Sequence, residues 1–586
     1  MTSNPMRAAW LCTPLFLMLC ACGGPPASAP PAAAKPPPAP DPWPQFAARF
    51  IEDYLRANPL FAVQAGRHEY DGQMADFSAA GIAAEVARLN KERAEVQRID
   101  PAGLSADERL EREIALGVLE GDLFWLDRAR FPFTNPAWYI DRLDPDVYLN
   151  RNYAPLEKRL QGYLGYARAL PKVAAQIRAN LHTPMPAAYI ERGIGGFGGF
   201  ADFFRQDVAR VFAPVADPAA QKELAAADAA AAQAMDGLRT WLQGERAHAG
   251  GEFALGEPLF LEMLRSTEQV DVPLARLLEV GEADLERNTA ALKAACAQYL
   301  PPGSLPACVA RMRADKPRAG AVPGAREQLK QLRDFVVAHQ IVSVPSDEQA
   351  LVAEAPPYNR YNFAYINVPG PYEKGVASVY HISPPDPAWS ARERAEYIPG
   401  QANLLFTSVH EVWPGHFLQF LYANRNPSKI AALWVGYAYA EGWAHYCEEM
   451  MWEQGLGEGS AEAHVGQLVA ALLRDVRYLS AIGLQTRGMT VQESDRMFRE
   501  RAFVDPGNAR QQAARGTFDP QYLKYTLGKL MIRKLRSDWV ARQPGAAASP
   551  DPKPYWHAFH DKFLSYGGPP IPLVRRAMLG EDSPVL

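Results

Sequence analysis

Past its opening segment this 586-residue chain has no run of about 20 apolar residues, so nothing later in it reads as a membrane-spanning helix. It lacks an excess of basic charge. Lys and Arg number 61 against 66 Asp and Glu, a net charge of −5, and no long basic run occurs, which argues against a nucleic-acid partner. Cysteine is scarce: six in all, of which three lie beyond Cys22. No repeat period is visible, and no second composition shift marks a clean domain border. The chain is long enough for a large core, and its 48% hydrophobic share is ordinary for a globular protein.

The first residues read as a targeting segment. Arg7 is a short positive region, and Ala8 to Leu19 is an apolar stretch too short for a good membrane span. It ends in Leu19-Cys20-Ala21-Cys22, which looks like a bacterial lipobox with Cys22 as the lipidated residue; an ordinary cleaved signal is the alternative. Residues 23 to 44 are rich in Pro and Ala, a semi-rigid tether that cannot build a core. The expected organisation is a signal peptide over 1–21, a tether over 22–44 and one domain over 45–586. A lipid anchor and a tether imply a protein of the bacterial cell envelope, facing the periplasm and expected at the outer membrane. In that oxidising compartment Cys296 and Cys308, which flank a Pro-Pro-Gly loop, could form a disulfide; Cys447 has no obvious mate.

From Asp41 onward the sequence reads as mainly α. Apolar residues recur at helical spacing over 44–58, 79–97, 105–126, 156–181, 274–300 and 325–339. The Ala-rich, charged stretch 216–246 reads as a long exposed helix. Two features interrupt the series. The run Gly193-Ile-Gly-Gly-Phe-Gly-Gly199 lacks the strand-before, helix-after context of a dinucleotide fingerprint and reads as a flexible turn or lid. Residues 362–368 and 375–382 read as two short strands about a turn, ending near His381. Such a hairpin beside an active site could pair with an extended peptide, or be purely structural.

The stretch that draws the chain together is His410-Glu411-Val412-Trp413-Pro414-Gly415-His416, two imidazoles and a carboxylate within seven residues, flanked by apolar sequence. Buried ionisable groups are costly unless paired or bound to a metal. The cluster therefore points to a zinc site with a carboxylate base beside it. In H-E-x-x-H zinc motifs the imidazoles stand at i and i+4; here His416 is at i+6, roughly 240° round a straight helix. Pro414 must interrupt that helix and Gly415 tolerates unusual dihedrals, so a wide turn could return His416 to His410.

Over residues 434–453, Tyr437, Glu441, His445 and Glu448 are spaced 4, 4 and 3 apart and share a helical face. Glu441 is the natural third ligand. His445 is a further contact or a partner behind the ligands. Glu449 and Glu453 read as the solvated side. If the helix at 410 runs straight, His416 points away, and Glu441 with His445 must supply the remaining ligands. Tyr525, in Tyr525-Thr-Leu-Gly528, is a candidate donor to an oxyanion, with His381 or His445 as helpers, or else a core aromatic with a satisfied hydroxyl.

The motif at 410–416, Glu441-Gly-Trp-Ala-His-Tyr446 with Glu448, Tyr525-Thr-Leu-Gly528 and the terminal Gly567-Gly-Pro-Pro-Ile-Pro572 together resemble the DUF885 family, over roughly residues 45 to 580. Many of its members are bacterial lipoproteins. The family resembles zincin-type metallopeptidases and is similar in helical architecture to the M3 and M32 peptidases. The resemblance implies a mostly α fold with a deep central channel, with His410, His416 and Glu441 as zinc ligands and Glu411 as general base. It does not carry a substrate. One departure is Gln485, where the family commonly has His; another is Pro520-Gln521-Tyr522 in place of a Pro-Gly-Gln pattern.

The expected protein is a lipid-anchored zinc metallopeptidase acting on short peptides, with the membrane as its other partner. The alternative is a peptide-binding lipoprotein with a structural or vestigial metal site, although structural zinc needs no adjacent base such as Glu411. Substituting Cys22→Ser should release the protein from membranes and leave the domain folded. Cell fractionation and mass measurement of the N-terminal peptide test this; a soluble, unacylated wild-type protein overturns it.

Overall fold

The computed structural model describes residues 42–356, 360, 362–387, 389–546 and 551–586. The signal segment, Cys22 and the tether as far as residue 41 lie outside the described residues. The first helix, Trp43–Ala57, begins inside the stretch read as tether and buries Trp43, Phe46, Phe50, Ile51 and Leu55 along one face. The fold is mainly α with one small sheet, as expected. No described helix is long and apolar enough to cross a membrane.

Most helices fall where the apolar spacing puts them: Ala79–Arg98, Ala106–Leu123, Leu156–Asn180, Leu274–Tyr299 and Ala321–Ala338. The Gly-rich run does not form a loop. It lies inside the helix Ala187–Gln206. The reason is close packing. A methyl group on Gly193 would sit 2.5 Å from Leu242, and one on Gly198 would sit 2.8 Å from Arg239. Both neighbours belong to the helix Pro218–Glu245, which therefore is not the exposed helix expected. It buries Leu224, Met235, Leu238 and Leu242 against the glycine face.

The sheet confirms the hairpin and adds a strand to it. Strand β1 is Leu351–Glu354, β2 is Ala364–Asn367 and β3 is Val379–Ile382, in the order β1-β3-β2. β2 pairs antiparallel with β3, with Tyr365 opposite His381 and Ile366 opposite Tyr380. β1 runs parallel to β3. Its four residues give too short a pattern to identify from sequence. Cys296 and Cys308 form a disulfide, and Cys447 is a buried free thiol.

Two helices bring Glu441, Glu448 and Tyr525 to the site: Tyr437–Glu453 and Lys524–Ala541. They touch backbone to backbone at Gly442 and Gly528. A Cβ on Gly442 would lie 2.5 Å from Gly528 Cα, and one on Gly528 would overlap the carbonyl oxygen of Ala438. This contact sets where Tyr525 stands relative to Glu441, three residues before one glycine and one before the other. In an open helix interior Gly→Ala stabilises by up to about 1 kcal/mol. Gly528→Ala should instead destabilise by about 1–3 kcal/mol, because the added methyl overpacks the crossing. Gly237→Ala, in the interior of its helix with nothing within 4 Å, should show the ordinary gain. Denaturant unfolding of the two variants compares them directly; a stabilising Gly528→Ala refutes the packing account.

Candidate metal centre

The helix Gln401–Glu411 stops where Pro414 requires it to. Val412 still donates its N–H to Ser408 O, at 3.0 Å, but its ψ of −72° and φ of −126° leave the helical region. The Trp413–Pro414 peptide is cis. Gly415 then donates its N–H to Val409 O, six residues back, at 3.0 Å. Here glycine is required by space: any Cβ would overlap the carbonyl oxygens of Val409 and His410. The next helix, His416–Arg425, begins immediately. The wide turn returns His416 to His410, with ring centroids 4.8 Å apart and planes at 87°. The straight-helix alternative is thereby excluded.

Glu441 reaches this pair from the helix Tyr437–Glu453. Its Oε2 lies 3.3 Å from His410 Nε2 and 3.4 Å from His416 Nε2. Ligands about 2.0–2.2 Å from a tetrahedral ion stand about 3.4 Å apart, so both edges suit a zinc-sized cation. All three donor atoms lie within 4.8 Å of one another, so the edge between the imidazoles is the looser one. Glu441 Oε2 is buried with no hydrogen bond of good geometry, as is His416 Nδ1. Burial opposes ionisation of Glu441, but the two imidazoles outweigh it and hold the carboxyl well below its usual range. A buried carboxylate oxygen facing two ring nitrogens fits a metal ion, and His410, His416 and Glu441 are the residues that could hold one.

The other face of His410 is fixed by Glu448. Its Oε1 lies 2.7 Å from His410 Nδ1 and 3.1 Å from the Arg474 guanidinium, and the carboxylate is fully buried. A carboxylate on the distal nitrogen fixes the ring's orientation and tautomer and makes Nε2 the better ligand. Burial works against a charge on His410, but Glu441 and Glu448 overcome it and raise its pKa to about 9 when no metal is bound. His445 is not drawn into the cluster. It is fully buried, and its Nδ1 lies 3.4 Å from Glu448 Oε2. Burial, with Lys529 nearby, pushes its pKa down to about 4, so it is a neutral neighbour of Glu448.

Glu411 follows His410 directly and is 8% exposed. Burial raises its pKa, and the nearby imidazoles partly counteract this. Tyr525 stacks beside His410, with centroids 6.3 Å apart, and meets Tyr437 edge-on at 5.9 Å. Burial and the Glu441 charge both raise the pKa of its phenol, so it remains a donor at neutral pH. Arg515 donates to the Tyr437 hydroxyl at 3.1 Å and pairs with Asp519 at 2.9 Å. Arg515 and Asp519 also line a cavity of about 260 Å³ walled by Trp125, Trp138 and Phe518.

The hairpin borders the site through Tyr380, whose phenol feels the charge of Glu411. His381 is its neighbour in β3 and so points to the opposite face of the sheet. It stacks on Tyr365 at 4.9 Å, and its Nδ1 lies 3.3 Å from Glu354 O. The spacing that put Glu441, His445 and Glu448 on one face was correct, but it did not assign Glu448 its contact with His410. Arg474 and Arg477 both stand on the helix Ala461–Thr486, and no local pattern in the sequence points Arg474 to Glu448. Glu449 is not solvated: it is buried against Arg287 and Lys529. Gln485 is a buried strut. It donates to the carbonyls of Gly516 and Thr517, and its oxygen accepts from Leu255 N.

No functionally curated protein matches the chain. Two solved structures share its fold over nearly their full length. One is a candidate lipoprotein of unknown function from Shewanella oneidensis, 23% identical, with a TM-score of 0.74 over 92% of this chain and 99% of that one. The other is a candidate lipoprotein from Colwellia psychrerythraea, 17% identical, with a TM-score of 0.75 over 92% and 98%. An M32 carboxypeptidase from Deinococcus radiodurans R1 aligns over 91% of this chain and 96% of its own at 11% identity, but its TM-score of 0.32 is too low to carry an argument. Residues 59–578 match the family described as bacterial protein of unknown function, DUF885, and the chain belongs to that family.

Proposed function

We propose that this protein is a zinc-dependent peptidase held by a lipid at Cys22 in the bacterial cell envelope, facing the periplasm at the outer membrane. The observation that carries the reading is the placement of Glu411 directly after His410, beside the three-donor cluster of His410, His416 and Glu441. A cation that needed only a structural cage would not require a further, uncommitted carboxylate beside its three donors. The envelope location draws support from the two similar structures, both candidate lipoproteins.

Zinc in this site would supply Lewis acidity to a carbonyl oxygen and acidify a water. The chain does the rest. Glu411, with its pKa raised, accepts the proton of the attacking water on a carboxylate oxygen and delivers it to the departing amine nitrogen. Tyr525 Oη donates to the carbonyl oxygen as negative charge develops there. Glu448, held by Arg474, keeps His410 Nε2 aimed at the cluster. Strand β3 lies beside Glu411 through Tyr380 and offers an extended backbone along which a peptide could lie. The nearly covered donors suit short peptides better than folded chains: the Glu441 side chain is 17% exposed and that of His416 12%.

His410→Ala, His416→Ala and Glu441→Ala should each lower the zinc content of the purified domain, whereas His445→Ala should retain it. Glu411→Gln should keep zinc and lose turnover by on the order of 10²-fold or more. Metal analysis and mass spectrometry of a digested peptide library read both effects. Full activity in Glu411→Gln overturns the peptidase reading. Zinc binding without any cleavage favours a peptide-binding lipoprotein with a structural metal.

A further inference from the structure

Three arginines converge behind Tyr525, and they are not equivalent. Arg474 pairs with Glu448 at 3.1 Å and Arg515 with Asp519 at 2.9 Å. Arg477 has no such partner. Its Nε donates to the neutral amide of Gln512 at 2.8 Å, and its guanidinium carbon lies 5.1 Å from the Tyr525 ring centroid. Among the described residues no carboxylate is within ion-pair distance of it, and its two terminal nitrogens have no protein acceptor. Its charged neighbours are the like charges of Arg474 and Arg515. A half-buried cation beside two others is costly to hold without an anion. Its planar fork of donors matches a carboxylate in both shape and charge.

We infer that Arg477 is the receptor for the free α-carboxylate of the substrate, so that the enzyme removes residues from the C-terminal end of peptides. The inference rests on the peptidase reading of the metal centre. Geometry sets the reach. Arg477 packs on one side of the Tyr525 system, and His410 stacks on the same ring at 6.3 Å. A peptide advances about 3.3–3.6 Å per residue. A carboxylate seated at Arg477 thus leaves the scissile bond one or two residues from the C-terminus, next to the Tyr525 hydroxyl and Glu411. Cation–π contact with Tyr525 pre-orients the guanidinium before any substrate arrives. Arg477 acts through position and charge, and no proton or bond changes at it.

The test compares matched peptides ending in a free acid or an amide. In the wild-type zinc enzyme, amidation should lower kcat/KM by on the order of 10- to 100-fold, the range for losing a charged hydrogen-bond partner. Arg477→Met should raise KM for the acid and bring the acid-to-amide ratio close to one with zinc content unchanged; Arg477→Lys should restore part of the ratio. A variant that merely misfolds would lose both substrates alike, and the ratio would stay as in wild type. Calorimetry of the same acid and amide on zinc-loaded Glu411→Gln gives an independent reading. If the peptidase reading fails, no peptide is cleaved, yet the acid should still bind more tightly than the amide. Equal binding or equal cleavage of acid and amide overturns the inference. So does an amidated peptide that regains full cleavage when its last residue is Glu, since Arg477 would then be reading a side chain.

Discussion

The constraint on which the site depends is that the helix Tyr437–Glu453 carries carboxylates into places with almost no water. Glu441, Glu448 and Glu449 all leave this helix, and Glu448 is fully buried. A buried ion without a partner is costly, and removing one member of such a pair costs on the order of 3–5 kcal/mol. Each carboxylate therefore dictates what stands opposite it. Glu441 faces two imidazoles, Glu448 holds His410 and Arg474, and Glu449 binds Arg287 and Lys529. The neighbouring chain segments are positioned by these demands as much as by apolar packing.

The consequences spread along the helix Lys524–Ala541. Lys529 is fully buried and meets Asp284 at 2.5 Å, with Glu449 and Asp475 next to it. Burial and the adjacent Asp284 charge raise the pKa of Asp475, while Lys529 and the amide of Asn288 oppose this. This network adjoins the Gly442–Gly528 crossing, since Lys529 directly follows Gly528. On the near side of the same crossing stands Tyr525. One helix pair thus carries both a charge network that fixes its register and an aromatic donor that depends on that register.

The electrostatics on the two sides of the proposed cation differ in kind. On the ligand side, negative charge accumulates through Glu441 and Glu448, and this favours a bound metal. On the Tyr525 side Arg515 is paired with Asp519, while Arg477 has no carboxylate within ion-pair distance among the described residues. A polarised peptide with a free C-terminus carries negative charge at its developing oxyanion and at its terminal carboxylate, and it would lie on the Tyr525 side. Glu411 adjoins the ligand side, beside His410, His416 and Glu441, and burial raises its pKa.

Much of this was readable from the order of residues. Helical periodicity fixed the α class and the shared face of Glu441, His445 and Glu448, and two short strand-like runs about a turn marked the hairpin within 362–382. Pro414 and Gly415 announced the break that brings His416 to His410, because ring sterics and the absence of a Cβ are local properties. Other features were decided only in three dimensions. The Gly193–Gly199 run became a helix because a second helix packs against its bare face, and no local pattern distinguishes that from a turn. Glu449 was buried by cations more than 75 residues away in sequence, Lys529 and Arg287. The role of Glu448, the placing of His381 against Tyr365 and the lack, among the described residues, of a carboxylate partner for Arg477 depend on contacts between distant segments. Sequence fixes which side chains are available and how a helix must bend; which charges meet, and which are left to meet a ligand, follows from tertiary packing.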